Sequence, residues 1–302
     1  MQTVENADIM GKKVADQLVE TICRAGIRHI YAVTGDSLNE VNDAVRRAGT
    51  VRWVHVRHEE SGAFAAAAES ELNGIACCAG SSGPGHVHLI NGLYDAHRSN
   101  CPVLAIASTC PSDQFGTGYF QETDPIRLFD DCSGYNQMAV TPAQFARMLP
   151  AALQHAIHRR EVAVVGLPGD VAASPCAESP GASGPLPSHG IYRPLDGELR
   201  QLAEMIGSAE RITVFCGIGA REAHDEVVRL AAMLKAPVAY TFKAKMEVQY
   251  DNPYEIGMTG LLGLPSAYGA MHESDLLLLL GTDFPYDCFL PSECRIAQVD
   301  IR

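Results

Sequence analysis

The feature that most limits what this chain can become is an alternation: short apolar runs take turns with segments whose apolar residues recur at helical spacing. Val14 to Arg24 puts Val14, Leu18, Ile22 and Cys23 on one helical face. Ile27 to Val33 then reads as a strand ending at Thr34-Gly35-Asp36-Ser37, where Asp36 or Ser37 is expected to cap the next helix. The cycle continues through strand 51–56, an Ala-rich helix from Glu59, strand 75–79, a helix from about Gly85 and strand 103–107. After a long loop come helix 143–158 and strand 162–167. Strands that alternate with helices pair in parallel and are covered on both faces. The expected class is α/β, built from two parallel-sheet, three-layer domains.

The alternation breaks between Ser174 and Pro194, where five of the 17 prolines fall among Ser, Gly and Ala. Such a stretch buries no face and reads as a linker. The expected division is a first domain at residues 1–174, a linker at 175–194 and a second domain at 195–302. A length of 302 residues agrees with roughly 150 per domain. In the second domain, helix 197–206, strand 212–215, helix 222–234 and strands 238–240, 276–280 and 296–299 follow in turn. The chain stops three residues after that last strand, so the second domain is expected to be cut short.

Composition excludes some functions. Lys plus Arg number 23 against 36 Asp plus Glu, a net charge of −13, which opposes binding of duplex nucleic acid. An anionic small ligand is still permitted, because a few oriented N–H groups suffice to hold phosphate. The ten cysteines form no C-x-x-C pair and several sit in apolar runs such as Ile75-Ala-Cys-Cys-Ala79. Residues 1–13 lack the apolar core of a secretory signal and no apolar run is long enough for a membrane span, so a reducing cytoplasm is the expected compartment.

Ligands of open α/β sheets bind beyond the carboxyl ends of the strands. Those ends are Thr34–Ser37, His58-Glu59-Glu60, Gly80–His86 and the loop 108–135. Gly80 to Gly85 allows close approach of backbone to a ligand, or simply a tight strand-to-helix turn. It is neither a phosphate P-loop nor a dinucleotide fingerprint, since His88 stands where a third glycine belongs. Glu59 and Glu60 either complement the helix N-terminus or supply one buried carboxylate for proton chemistry. His86 and His88, two apart, fall on different helical faces, and no metal site is expected. In the second domain Gly217-Ile-Gly219 and Gly281-Thr-Asp-Phe-Pro285 follow strands where a nucleotide could sit, although Glu222 replaces the third fingerprint glycine.

Taken in order, several segments resemble one family over nearly the whole chain: Val33-Thr-Gly-Asp-Ser-Leu38, Arg57-His-Glu-Glu60, Gly83-Pro-Gly85 with His88-Leu-Ile-Asn-Gly-Leu93, Gly118-Tyr-Phe-Gln-Glu-Thr123, Leu167-Pro-Gly-Asp170, Asn252-Pro253, Gly257-Met-Thr-Gly-Leu-Leu-Gly263 and Gly281-Thr-Asp-Phe-Pro-Tyr286. The chain resembles the thiamine-diphosphate-dependent 2-oxo acid decarboxylating enzymes, most closely the quinone-dependent pyruvate dehydrogenases or pyruvate oxidases. Relatives that make acetolactate usually carry Gly-x-Pro-Gly where this chain has Gly35-Asp36-Ser37.

The resemblance implies a pyrimidine-binding first domain in which Glu59 hydrogen-bonds the pyrimidine ring nitrogen and favours the imino tautomer that removes the thiazolium C2 proton. It places Gly35, Asp36, Ser37, Gly83 and Gly85 beside that ring, and Phe120 and Gln121 near the reacting centre. It implies a central FAD domain whose contacts are Gly217, Thr259, Gly260, Leu261, Leu262, Thr282, Asp283, Phe284, Pro285, Tyr286 and Asp300. Lys243-Ala-Lys245 departs from an Arg-Gly-Lys common there. The implied substrate is pyruvate, the acceptor a quinone and the assembly a homodimer or homotetramer. Family members hold magnesium and the diphosphate through Gly-Asp-Gly and a later Asn in a third domain. Gly35-Asp36 and Gly169-Asp170 are the candidate pairs here, and neither is followed by Gly. The expectation is half a thiamine site, with magnesium and membrane contact belonging to a part not included, and little turnover alone. Rival readings are a non-catalytic FAD- or ADP-binding or assembly fragment, and an acetolactate-synthase-like enzyme.

Overall fold

The computed structural model describes residues 11–177 and 192–301, which divide into two compact units. The expected linker lies largely outside the described residues. At its start, Pro175 bridges to Lys13 and the Cys176 N–H donates to the Lys12 carbonyl at 2.8 Å.

In the first unit the elements run α1 (Val14–Arg24), β1 (His29–Ala32), α2 (Asn39–Ala48), β2 (Arg52–His55), α3 (Glu59–Asn73), β3 (Ala76–Gly80), α4 (Pro84–Val87), α5 (Ile90–Arg98), β4 (Val103–Thr109), α6 (Pro125–Leu128), β5 (Tyr135–Met138), α7 (Pro142–Arg159), β6 (Val162–Pro168) and α8 (Gly169–Ala173). The six strands form one parallel sheet in the order β2-β1-β3-β4-β6-β5. Alternate side chains feed opposite faces, as strand geometry requires. Leu104, Ile106, Ala163 and Val165 enter the core under α1, α2 and α7, whereas Val103, Ala105, Val162 and Val164 enter the core under α3 and α5. Burial on both faces explains why β4 and β6 read as continuous apolar runs.

The second unit contains α9 (Asp196–Gly207), β7 (Ile212–Cys216), α10 (His224–Leu234), β8 (Val238–Tyr240), α11 (Lys245–Val248), β9 (Glu255–Met258), α12 (Pro265–Glu273), β10 (Leu276–Leu280) and β11 (Arg295–Val299). Its parallel sheet runs β11-β10-β7-β8-β9. Numbered from β7 and read from the β9 edge, that is 3-2-1-4-5, an order characteristic of dinucleotide-binding sheets.

Two expectations change. Neither Asp36 nor Ser37 caps α2: Leu38 occupies its N-cap without a side-chain hydrogen bond. Asp36–Leu38 instead form one 3-10 turn, where Asp36 Oδ1 accepts from the Ser37 N–H at 2.8 Å and Ser37 Oγ accepts from the Ser82 N–H at 2.9 Å. The expected helix from Gly85 is two helices, α4 and α5, joined at His88 and Leu89.

Leu104, wholly buried in the central strand β4, tests the packing. Leu104→Ala should lower unfolding free energy by about 2–5 kcal/mol. Urea denaturation is the check, and a loss below about 1 kcal/mol would mean that the site is not close-packed.

Candidate functional site

In the first unit the strand order reverses between β1 and β3, the place where ligands of open α/β sheets bind, and the turns after those two strands meet there in one rim. Glu59, at the first position of α3, lies beside it and is only 6% exposed. Its Oε2 accepts a hydrogen bond from His88 Nδ1 at 2.9 Å. Glu60, one residue on, turns away and accepts from Asn91 Nδ2 at 2.8 Å. The two carboxylates of one helical turn therefore have separate environments.

Small residues set the Glu59–His88 distance. A Cβ on Gly92 of α5 would lie 2.5 Å from Ala63 Cβ and 2.9 Å from the Phe64 nitrogen, so α5 rests almost on the α3 backbone. That contact brings His88, at the head of α5, onto the start of α3. His58 caps α3, its Nδ1 accepting from the Glu60 N–H at 3.3 Å, and its ring stacks on His88 with centroids 4.3 Å apart. Candidate ligand atoms of His58, Glu59 and His88 lie within 4.8 Å of one another. The rings are within 25° of parallel, so their in-plane lone pairs do not converge on one point, and both Nδ1 atoms are already engaged. The cluster is a carboxylate–imidazole pair, not a cation cage.

Gly83 holds φ +65 and ψ −120, a region glycine tolerates and side chains resist. A Cβ there would also lie 2.8 Å from Gln121 Cβ, so the 118–123 loop folds directly onto the turn. Ser82 Oγ donates to Gln121 Oε1 at 3.2 Å. Gly85 faces the other Glu59 oxygen: a Cβ there would sit 3.4 Å from Oε1. Gly35 packs on the Ser81 side chain. The structure thus gathers Gly35, Ser37, Glu59, Gly83, Gly85 and Gln121. Asp36 stays exposed in its own turn, and Phe120 projects from the loop tip, 77% exposed. His88, Ser82, His86 and Thr123 are site neighbours that sequence reasoning placed on the strand-end loops or in motifs without giving them a role in the site.

In the second unit the order reverses between β7 and β10. The turns after them touch backbone to backbone: a Cβ on Gly219 would lie 2.7 Å from Gly281 Cα, and the Gly219 N–H donates to the Gly281 carbonyl at 2.9 Å. Gly217 packs against the same carbonyl. Thr282 is buried beside them, its carbonyl accepting from Gln298 Nε2 at 2.9 Å. Phe284 meets Phe215 and Tyr286 edge-on at 5.0 and 5.4 Å. Gly260 faces the Phe284 ring, which brings the 259–262 segment to this end of the sheet. Thr259 is buried there, whereas Leu261 and Leu262 are exposed. Asp283 and Pro285 lie exposed in the same loop, and Asp300 directly follows β11 at the same carboxyl edge.

The loop over Gly83 is organised by Glu122, which accepts from the N–H groups of Gly116 at 2.5 Å, Gly118 at 2.8 Å and Tyr119 at 3.1 Å. The Gly116 bond first, then the other two, hold its carboxyl below the ordinary carboxylate range. The ionised form is favoured in the folded loop. Its stabilisation is therefore present above the unfolded-state pKa and is lost as pH falls through the depressed folded value. NMR titration should show the Gly116 and Gly118 amides moving below pH ~4.3, the reference for a free glutamate. Movement at or above that pH would contradict the arrangement.

Residues 12–128 match the family of thiamine pyrophosphate enzymes at its N-terminal TPP-binding domain, and residues 199–302 match the central domain of the same enzymes. The uncharacterized 42.6 kDa protein in the isoamylase 3' region of Pseudomonas amyloderamosa is 50% identical over 292 residues, covering 96% of this chain and 74% of that protein. Pyruvate oxidase of Lactiplantibacillus plantarum is 33% identical, covering 86% of this chain and 44% of that one. Chloroplastic acetolactate synthase of Arabidopsis thaliana is 30% identical, covering 96% and 45%. The chain thus spans less than half the length of the latter two. With both domain matches falling on the two sheets just described, the chain belongs to the thiamine pyrophosphate enzymes and carries their N-terminal and central domains.

Proposed function

We propose that the first unit holds the aminopyrimidine of thiamine diphosphate against Glu59. The whole protein, on this reading, oxidatively decarboxylates pyruvate to acetate and CO2, using FAD and passing electrons to a quinone. The observation that carries the reading is the division of labour on one buried carboxylate. His88 occupies Glu59 Oε2, while Oε1 faces Gly85, with the Ser81 hydroxyl beside that glycine. A carboxylate oxygen held in this way can share a proton with the basic ring nitrogen of a flat heterocycle.

When bound, the cofactor supplies an electron sink for decarboxylation, which no side chain can provide. The chain's own residues do the rest. Glu59 presents Oε1 to the ring nitrogen and keeps a proton shared there. His88 fixes the carboxylate plane. Gly83 and Gly85 let the backbone approach the ring, with Gly35, Asp36 and Ser37 along the facing turn. Gln121, held by Ser82, and Phe120 cover the side on which pyruvate would enter. In the second unit the Gly217–Gly281 contact, with Thr282 through Tyr286, Thr259 through Leu262 and Asp300, forms the proposed FAD rim. Neither Gly35-Asp36 nor Gly169-Asp170 is followed by Gly, and no residue of this chain is assigned to magnesium.

An acetolactate-forming enzyme is the second reading, favoured by the Arabidopsis relative and opposed by Gly35-Asp36-Ser37 in the first turn. Homo-oligomeric assembly in the cytoplasm belongs to the proposal too. Among the described residues, no helix is long and apolar enough to cross a membrane.

Glu59→Gln is close to isosteric and should leave the far-UV circular dichroism and thermal midpoint unchanged. Loss of the carboxylate that shares a proton with the pyrimidine ring nitrogen should slow the protein-promoted exchange of the thiazolium C2 proton of thiamine diphosphate into D2O by about 10²–10⁴. Proton NMR reads that rate. Exchange promoted equally well by the variant would remove Glu59 from the mechanism.

A further inference from the structure

His86 has no part in the chemistry proposed above, yet it is wholly buried three residues from Gly83. Its Nδ1 lies 2.8 Å from the Ser108 carbonyl and its Nε2 2.5 Å from Thr123 Oγ1. A carbonyl only accepts, so Nδ1 carries the proton and Nε2 presents a lone pair, to which the Thr123 hydroxyl donates. Burial pushes the imidazole pKa down, in keeping with a neutral ring. The Ser108 hydroxyl in turn lies 2.8 Å from the Ser37 carbonyl and 3.0 Å from the Leu167 carbonyl, so the acceptor of His86 is tied to the ends of three strands' connections.

The partner segment is stiff. Glu122 binds three amides of its own loop, and Gln121 holds φ +60. A stiff segment moves as a body, and its position depends on a few anchors. Two of these are side-chain hydrogen bonds that join it to the turn after β3, Ser82 to Gln121 and His86 to Thr123.

We infer that His86 is a positioning residue, fixing through Thr123 the loop that sets Phe120 and Gln121 over the Gly83 turn. The purpose of that placement rests on the proposed thiamine site. The placement itself does not.

The test compares the full chain with Thr123→Ser, which keeps the hydroxyl, and Thr123→Val, which keeps the shape without it. Amide hydrogen exchange is followed over residues 116–123 and over β3 and β4, with ¹⁵N imidazole spectra of His86 beside it. Losing one hydrogen bond should speed exchange in Thr123→Val by roughly three- to tenfold over 116–123. β3 and β4 should keep wild-type protection, Nε2 should shift away from its hydrogen-bonded acceptor position, and Thr123→Ser should match wild type throughout. Valine and serine variants that behave alike, an unmoved Nε2 resonance, or loosening that extends equally into β3 and β4 would each overturn the inference. Failure of the Glu59→Gln exchange experiment would leave this result untouched, so the two readings fall separately.

Discussion

A parallel sheet needs a crossover after every strand, and where the crossovers of two neighbouring strands leave in opposite directions, the turns at their carboxyl ends come together at the place where such sheets bind ligands. That constraint governs both units. In the first it falls between β1 and β3, in the second between β7 and β10. The Gly35–Ser37 and Gly80–Gly85 turns, and the Gly217–Gly219 and Gly281–Thr282 turns, are the sequence that fills those two places. Their glycines are explained by how close the chains come, as at Gly219 and Gly281, where two backbones touch.

The second element of the account is a charge made tolerable. A buried carboxylate is costly unless its oxygens are satisfied. Glu59 gains His88 on one oxygen and the N-terminal dipole of α3 behind it. The contact is made by alanine on α3 and Gly92 on α5, because only small residues let the two helices approach closely enough to deliver His88. Packing and site chemistry are therefore one design: enlarging Gly92 would move the partner of Glu59 without touching either residue.

How much of this was legible in the sequence follows from what each element buries. Strands β4, β6 and β10 are apolar on both faces and announce themselves. Strand β5, Tyr-Asn-Gln-Met at a sheet edge, and β9, Glu-Ile-Gly-Met at the other unit's edge, are only half-buried and carried no such signal. Helix α12 contains Pro, Ser and two-fold small residues with little one-sided apolarity, so it too was missed. Asp36 and Ser37 looked like helix caps by type, but a neighbouring strand's turn claims Ser37, a non-local contact that local pattern does not encode. Glu59 and Glu60 were both legible as candidates by their place after a strand, and only the family resemblance singled out Glu59. Its partner His88 was not, because the pairing depends on the close approach of two helices.

The central claim is that Glu59 Oε1 receives the pyrimidine ring nitrogen. Thiamine diphosphate labelled with ¹⁵N in the pyrimidine ring tests it most directly, titrated with the full chain and followed by NMR. The account predicts that the ring nitrogen opposite the exocyclic amine shifts toward its protonated value on binding, while the other ring nitrogen moves little. Binding with that resonance unmoved, or a shift centred on the other nitrogen, would contradict it.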